Sequence, residues 1–249
     1  MSQYVATGGQ TRLPSKENSG VPFLPFQKCA APNLPMIDIR PDLQGQWAMT
    51  CESQHFIPGV TAEMLDWFWG NIEKCYYLWA PGAHKEIRWI RPAWSTGLVG
   101  SSLIFVEQEE PGGPFKIIPD EDPCVNLGMD AFVFNDCMEH VIIQGTPGVF
   151  VNVHMWEDVP GGCVHRMCAA ANQSKGDQFP IPLEFGEITL NELAHPEYEA
   201  AMWPRFLPQM YALWRDHPDP TQNIRWDLSV KKTGDYRWEY LCENGPAVL

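Results

Sequence analysis

His195 and Glu199 stand four residues apart in the segment His-Pro-Glu-Tyr-Glu, which runs on into Ala-Ala-Met-Trp-Pro-Arg-Phe-Leu-Pro. On a helix this spacing puts two side chains on one face, about one turn apart. Imidazole nitrogen and carboxylate oxygen both ligate zinc and similar divalent ions, so one helix would supply half of a tetrahedral site. The same pair also suits an ordinary polar helix face, and the rest of the chain has to decide. His84 opens a β-prone segment and His154 lies in the run Val-Asn-Val-His-Met-Trp; these are the histidines best placed to join the pair. His55, His140, His165 and His217 have no comparable setting and read as structural or exposed. Glu107 and Glu109 lie two apart in a strand-like run and share a face with Leu103 and Phe105. If that face is the inner one, a carboxylate there needs a partner: a metal, an arginine or an exposed strand end.

These residues need elements to hold them. Thr61 reads as an N-cap with Glu63 in the first turn, opening a helix over 61–77. Met64, Leu65, Phe68, Ile72, Cys75 and Tyr76 form its buried face, and Pro81-Gly82 cannot continue it. From 84 to 171 the pattern becomes strands separated by turn signals: 85–90, 98–109, 115–118, 129–134, 139–144, 149–156 and 163–171. Their short connections predict an antiparallel sheet rather than βαβ units. A polar loop over 172–188 leads to a helix over 196–215, ended by Pro218 and Pro220. Pro196 pushes His195 away from helical geometry, toward the N-cap, and Pro204 predicts a kink. The tail carries strands at 223–230 and 236–241, whereas 1–45, rich in Pro, Gly and Ser, reads as an irregular arm. The expected architecture is α+β: one domain over 46–249, a curved antiparallel sheet gripping one long C-terminal helix.

Composition narrows the partners. The 31 Asp and Glu against 17 Lys and Arg give a net charge of -14, which repels nucleic-acid phosphates and anionic membranes. No apolar run approaches the roughly 20 residues of a membrane span, and 1–35 lacks the apolar core of a signal peptide. The 8 cysteines show no CxxC spacing and read as reduced thiols, so a cytoplasmic location is expected. The 11 Trp, 7 Tyr and 12 Phe fit either a core of large side chains or a cavity lined for a flat aromatic, polyketide or terpenoid ligand.

Three segments in order carry a resemblance. They are Tyr76-Tyr-Leu-Trp-Ala-Pro-Gly-Ala-His84, His154-Met-Trp-Glu-Asp-Val-Pro-Gly-Gly-Cys163, and His195-Pro-Glu-Tyr-Glu199 with Phe206-Leu-Pro208. Over roughly residues 60 to 215 the chain resembles the diacetylphloroglucinol hydrolase family, which includes phloretin hydrolase. The resemblance implies a Bet v 1-like helix-grip domain with one zinc ion, cleaving a carbon–carbon bond between an acyl group and a phenolic ring. It implies His84, His195 and Glu199 as metal ligands, with Glu109 as the fourth and Glu107 as the alternative. His154 would be an acid/base or substrate-orienting group, Tyr76 would hydrogen-bond the substrate, and Tyr77, Trp79 and Trp156 would line the pocket. The strand after Pro160-Gly161-Gly162 departs from the pattern, reading Cys-Val-His-Arg-Met where a different charged pattern is expected. Two other functions stay open: a non-hydrolytic cyclase or isomerase of secondary metabolism, and a small-molecule-binding protein. The sequence also leaves room for a homodimer.

Overall fold

The computed structural model describes residues 34–35, 37–80, 83–108, 115–117, 123–178, 195–216, 219, 221, 224–225, 229–234, 237–241 and 247–248. The first strand, β1 (Trp47–Pro58), is followed by two helices, α1 (Ala62–Gly70) and α2 (Ile72–Trp79). Thr61 caps α1 by accepting from the Met64 amide, as its position predicts. The helix expected over 61–77 is in fact these two, because the chain breaks at Asn71, where φ is -133°. Asn71 binds back to α1 twice, its backbone N–H to the Phe68 carbonyl and its side chain to the Trp67 carbonyl.

The sheet continues through β2 (His84–Arg91), β3 (Ser102–Gln108), β4 (Phe115–Ile117), β5 (Cys124–Leu127), β6 (His140–Thr146), β7 (Phe150–Val159) and β8 (Gly162–Asn172). A short helix, α3 (Ala93–Thr96), separates β2 from β3. The order across the sheet is β1-β8-β7-β6-β5-β3-β2, all antiparallel, with β4 added on β3. Then comes the long helix α4 (His195–Trp214). Two small pairings follow: β10 (Ser229–Gly234) with β11 (Arg237–Leu241), and β12 (Ala247–Val248) with β9 (Ile224–Arg225). This is an α+β, helix-grip-like arrangement, a curved antiparallel sheet holding one late helix.

Strand register assigns the faces. Ile57, Trp156, Cys163, Ile142 and Leu103 face the helices, in one core with Phe68, Trp69, Tyr76, Trp79, Trp203 and Phe206. Residues of alternate parity (Val151, Val153, Met155, Cys168 and Ala170) face the other way, under Ile37, Ile39, Phe132 and Phe134. The piece of the N-terminal arm that is described therefore docks on the back of the sheet, where Ile39 bridges Phe134. That docking explains why 129–134 is not the expected strand. Met129–Ala131 is a 3-10 turn, and the apolar run after it is buried under the arm instead of joining the sheet. The sequence reading missed β1, whose twelve residues contain only two β-branched side chains, Thr50 and Ile57.

Pro196 lies in the first turn of α4, where a missing N–H costs nothing. Pro204 and Pro208 lie inside the helix; neither can donate to the carbonyl four residues earlier, yet the helix runs through both. Among the described residues no helix is long and apolar enough to cross a membrane. Cys51, Cys75, Cys137, Cys163 and Cys168 are free thiols.

Candidate metal centre

Three elements meet where α2 turns into β2. His84 is the first residue of β2, held there by the backbone turn from Ala80, whose carbonyl accepts from the His84 N–H. In register it faces Glu107 of β3. The first two turns of α4 bring His195 and Glu199 against them. His84 Nε2 lies 3.3 Å from His195 Nε2 and 3.3 Å from Glu199 Oε1. His195 Nε2 lies 3.0 Å from Glu199 Oε1, and His84 Nε2 lies 3.6 Å from Glu107 Oε2. His84 and Glu199 are buried, and His195 nearly so. His195 therefore reaches Glu199 even though Pro196 follows it.

The donor chemistry fits a divalent ion. His84 Nδ1 is 2.8 Å from the Tyr76 carbonyl, which can only accept, so Nδ1 carries the hydrogen. In its neutral form the ring presents an Nε2 lone pair to two carboxylate oxygens and a second imidazole. A proton at that nitrogen serves one neighbour at a time; a cation at the centre serves all of them. A tetrahedral zinc with bonds of about 2.0–2.1 Å needs ligand atoms about 3.3–3.4 Å apart. The three separations among His84, His195 and Glu199, 3.0 to 3.3 Å, lie close to that edge, and Glu107 Oε2 stands 3.6 Å from His84 Nε2. The Tyr76 carbonyl behind His84 is the kind of outer contact that fixes a ligand's tautomer and orientation. Burial raises the Glu199 carboxyl, but the charges and hydrogen bonds of His195 and His84 outweigh it and hold it down at about 2. Glu199 is thus a carboxylate at neutral pH. The buried group His84, His195 and Glu199 could hold a metal ion.

The remaining expected residues surround this group. Glu107 stands beside His84; Glu109 lies outside the described residues. The Tyr76 ring stacks on His84 with centroids 3.9 Å apart, and its hydroxyl donates to Glu107 Oε2 at 3.1 Å. Burial, followed by the nearby Glu107, pushes the Tyr76 hydroxyl well above its usual range, so it stays protonated as a donor. Trp79 packs edge-on against His84 at 5.3 Å and lies 6.2 Å from the His154 ring. Tyr77 touches the ring of Tyr76. Trp156 stands further back, its indole N–H bonded to the Ala62 carbonyl and its ring between Trp69 and His140.

His154 faces the helices from β7, 4.5 Å from the Trp69 ring. Its Nδ1 is 3.1 Å from Nε2 of His165, which is as deeply buried. The structure therefore revises one expectation: His165 does have a setting, beside the candidate catalytic histidine. A signal for this was in the sequence. A tight hairpin around Pro160-Gly161 aligns Trp156 with His165, which places His154 and His165 on one face as diagonal neighbours. Burial drives His154 down to about 4 against the opposing charge of Glu199. Burial, then the rings of His154 and His55, holds His165 well below the usual range. Both rings are neutral at pH 7.

A second polar feature escaped the sequence reading. Ser101 Oγ donates to the Leu98 carbonyl, Asn126 Nδ2 donates to Ser101 Oγ, and Gln144 Nε2 donates to Asn126 Oδ1. The single carbonyl at the start fixes the orientation of both amides, because each partner's donor is already committed.

No protein-family model matches the chain, and no curated protein matches it. Nine solved chains match in structure. One is the NMR solution structure of the KanY protein, at 9% identity, covering 67% of this chain and 96% of that one with a TM-score of 0.35. Another is the crystal structure of protein NE0264 from Nitrosomonas europaea, at 14% identity, covering 51% and 78% of the two chains with a TM-score of 0.32.

Proposed function

We propose that this chain is a zinc-dependent hydrolase that cleaves a carbon–carbon bond of an acylated phenol or β-diketone-like substrate. The observation that carries the reading is the mutual approach of His84 Nε2, His195 Nε2 and Glu199 Oε1 to within 3.0–3.3 Å, with Glu107 Oε2 3.6 Å from His84 Nε2. His84, His195 and Glu199 would hold the ion, and Glu107, beside His84, is the proposed fourth ligand. A Bet v 1-like helix-grip is supported by the element order: one strand, two short helices, the rest of the sheet, then the long helix. Strands β1 and β2 standing at opposite ends of the sheet path fit the same fold.

When bound, a zinc ion would supply a Lewis acid that polarises a ketone oxygen and acidifies water toward pKa ~7. The chain's own residues would do the rest. Phe68, Trp69, Trp79 and Trp203 form a buried aromatic wall suited to a flat ring. Tyr76 orients Glu107 through its hydroxyl and His84 through its carbonyl. His154, neutral and beside that wall, would address a substrate oxygen. If the phenol enters as its ketone tautomer, the carbon that departs is an enolate rather than a bare aryl anion, a far better leaving group.

The test has two parts. Purified protein should carry close to one zinc per chain, and its incubation with acylphloroglucinols should release the free acid. Metal-free protein that is stable and does not take up zinc would overturn the reading. Zinc-loaded protein that releases no acid from any such ketone would instead favour a cyclase or isomerase on the same site.

A further inference from the structure

His165 is a buried histidine that the proposed chemistry does not use. It faces His55 across the β1–β8 pairing and Trp156 across the β7–β8 pairing. Its Nε2 meets His154 Nδ1 at 3.1 Å, while its Nδ1 is buried with no hydrogen-bond partner among the described residues. Two neutral imidazoles in contact allow two arrangements. In one, His154 Nδ1–H donates to His165 Nε2; the hydrogen of His165 then sits on Nδ1, buried with nothing to accept it. In the other, His165 Nε2–H donates to His154 Nδ1. His165 Nδ1 is then a bare lone pair, and His154 carries its hydrogen on Nε2.

The second arrangement is the favoured one, since buried N–H groups without an acceptor are rarer than under-used acceptors. The surroundings agree. Trp203 lies edge-to-face with His165 at 4.8 Å, and its own buried indole N–H also has no partner, so this neighbour offers a donor and no acceptor.

We infer that His165 is a positioning residue that locks His154 in its Nε2–H tautomer, making His154 a hydrogen-bond donor to a substrate oxygen and not a base. No proton is transferred in this role: the neutral imidazole donates a hydrogen bond to an oxygen on which negative charge grows, as neutral histidines do in other enzymes. Only the identity of that oxygen, the carbonyl or enolate oxygen of an acyl phenol, rests on the function proposed above. The tautomer follows from the two rings themselves.

Nitrogen-15 NMR of the full chain with labelled imidazoles, at pH 7, reads the tautomer directly. His154 and His165 should both appear as Nε2–H rings. In His165→Leu the preference of His154 should be lost, with the Nδ1–H form appearing. In His165→Gln it should be retained, because the amide N–H can still donate to Nδ1. An Nδ1–H ring at His154 in the wild type, or an unchanged Nε2–H ring in His165→Leu, overturns the inference. With an acylphloroglucinol substrate, kcat should fall about 10–100-fold in His165→Leu, as for other orienting partners, and recover in His165→Gln with little change in KM. A chain that cleaves no such substrate leaves the NMR result decisive, so failure of the tautomer and failure of the proposed reaction are read separately.

Discussion

Glu199 is the hub of the proposed centre, because its Oε1 faces both histidine nitrogens, at 3.0 and 3.3 Å. Glu199→Gln keeps the size of the side chain but replaces a carboxylate with a neutral amide. An ion that binds only the folded chain stabilises it by about 2.7 kcal/mol when its free concentration is a hundredfold above its dissociation constant. At about 2–4 °C per kcal/mol for a chain of this size, zinc at that concentration should raise Tm of the wild type by about 5–10 °C. If the substitution weakens binding a hundredfold, the same zinc concentration leaves about 0.4 kcal/mol, close to 1 °C. The assay is thermal unfolding of chelator-treated protein with and without zinc, alongside zinc content by elemental analysis. Glu107→Gln should likewise reduce the zinc-dependent increment, whereas Glu109→Gln should leave it. An undiminished increment in Glu199→Gln would refute the ligand assignment and the tetrahedral argument with it.

His154→Ala should retain zinc and its stabilisation but lose activity by about 100-fold or more, the usual cost of one such hydrogen-bond donor; zinc content and turnover together check this. Stability should fall on acidification. Because His154 is held at about 4, the unfolded chain binds its proton first, so stability is full above pH 6.5 and declines from there toward pH 4. By the lower limit the loss from this ring alone is about 3 kcal/mol, measurable as urea unfolding at a series of pH values; a flat profile would mean that the ring takes up its proton as readily in the native state as in the unfolded chain. Gly145→Ala should destabilise by about 2 kcal/mol or more, since φ is 152° there and a Cβ would overlap the Phe150 carbonyl on β7. Chemical denaturation checks it, and wild-type stability in the variant would show that the β6–β7 pairing can part at no cost.

Local chemistry determined much of this protein from the chain alone. The cap at Thr61, the end of α2 at Trp79, the turn at Pro160-Gly161, and most of the strand runs over 84–171 are set by residues within a few positions of each other. The His195–Glu199 pair belongs to the same class, since helical periodicity alone puts the two side chains on one face. Other features depended on residues far apart in sequence. β1 has weak strand propensity and is a strand because β8 supplies its partners from Trp47 to Pro58. The run 129–134 has the opposite history, being apolar enough for a strand but buried under the arm. The candidate centre was half legible: the ligand types could be named, but whether their atoms converge depends on the start of α4 docking beside His84. A local hairpin sets His165 beside His154, but which face of the sheet carries the two could not be assigned from that neighbourhood. A strand residue's face is known only to within a parity until its pairing is fixed, and pairing is a property of the whole sheet.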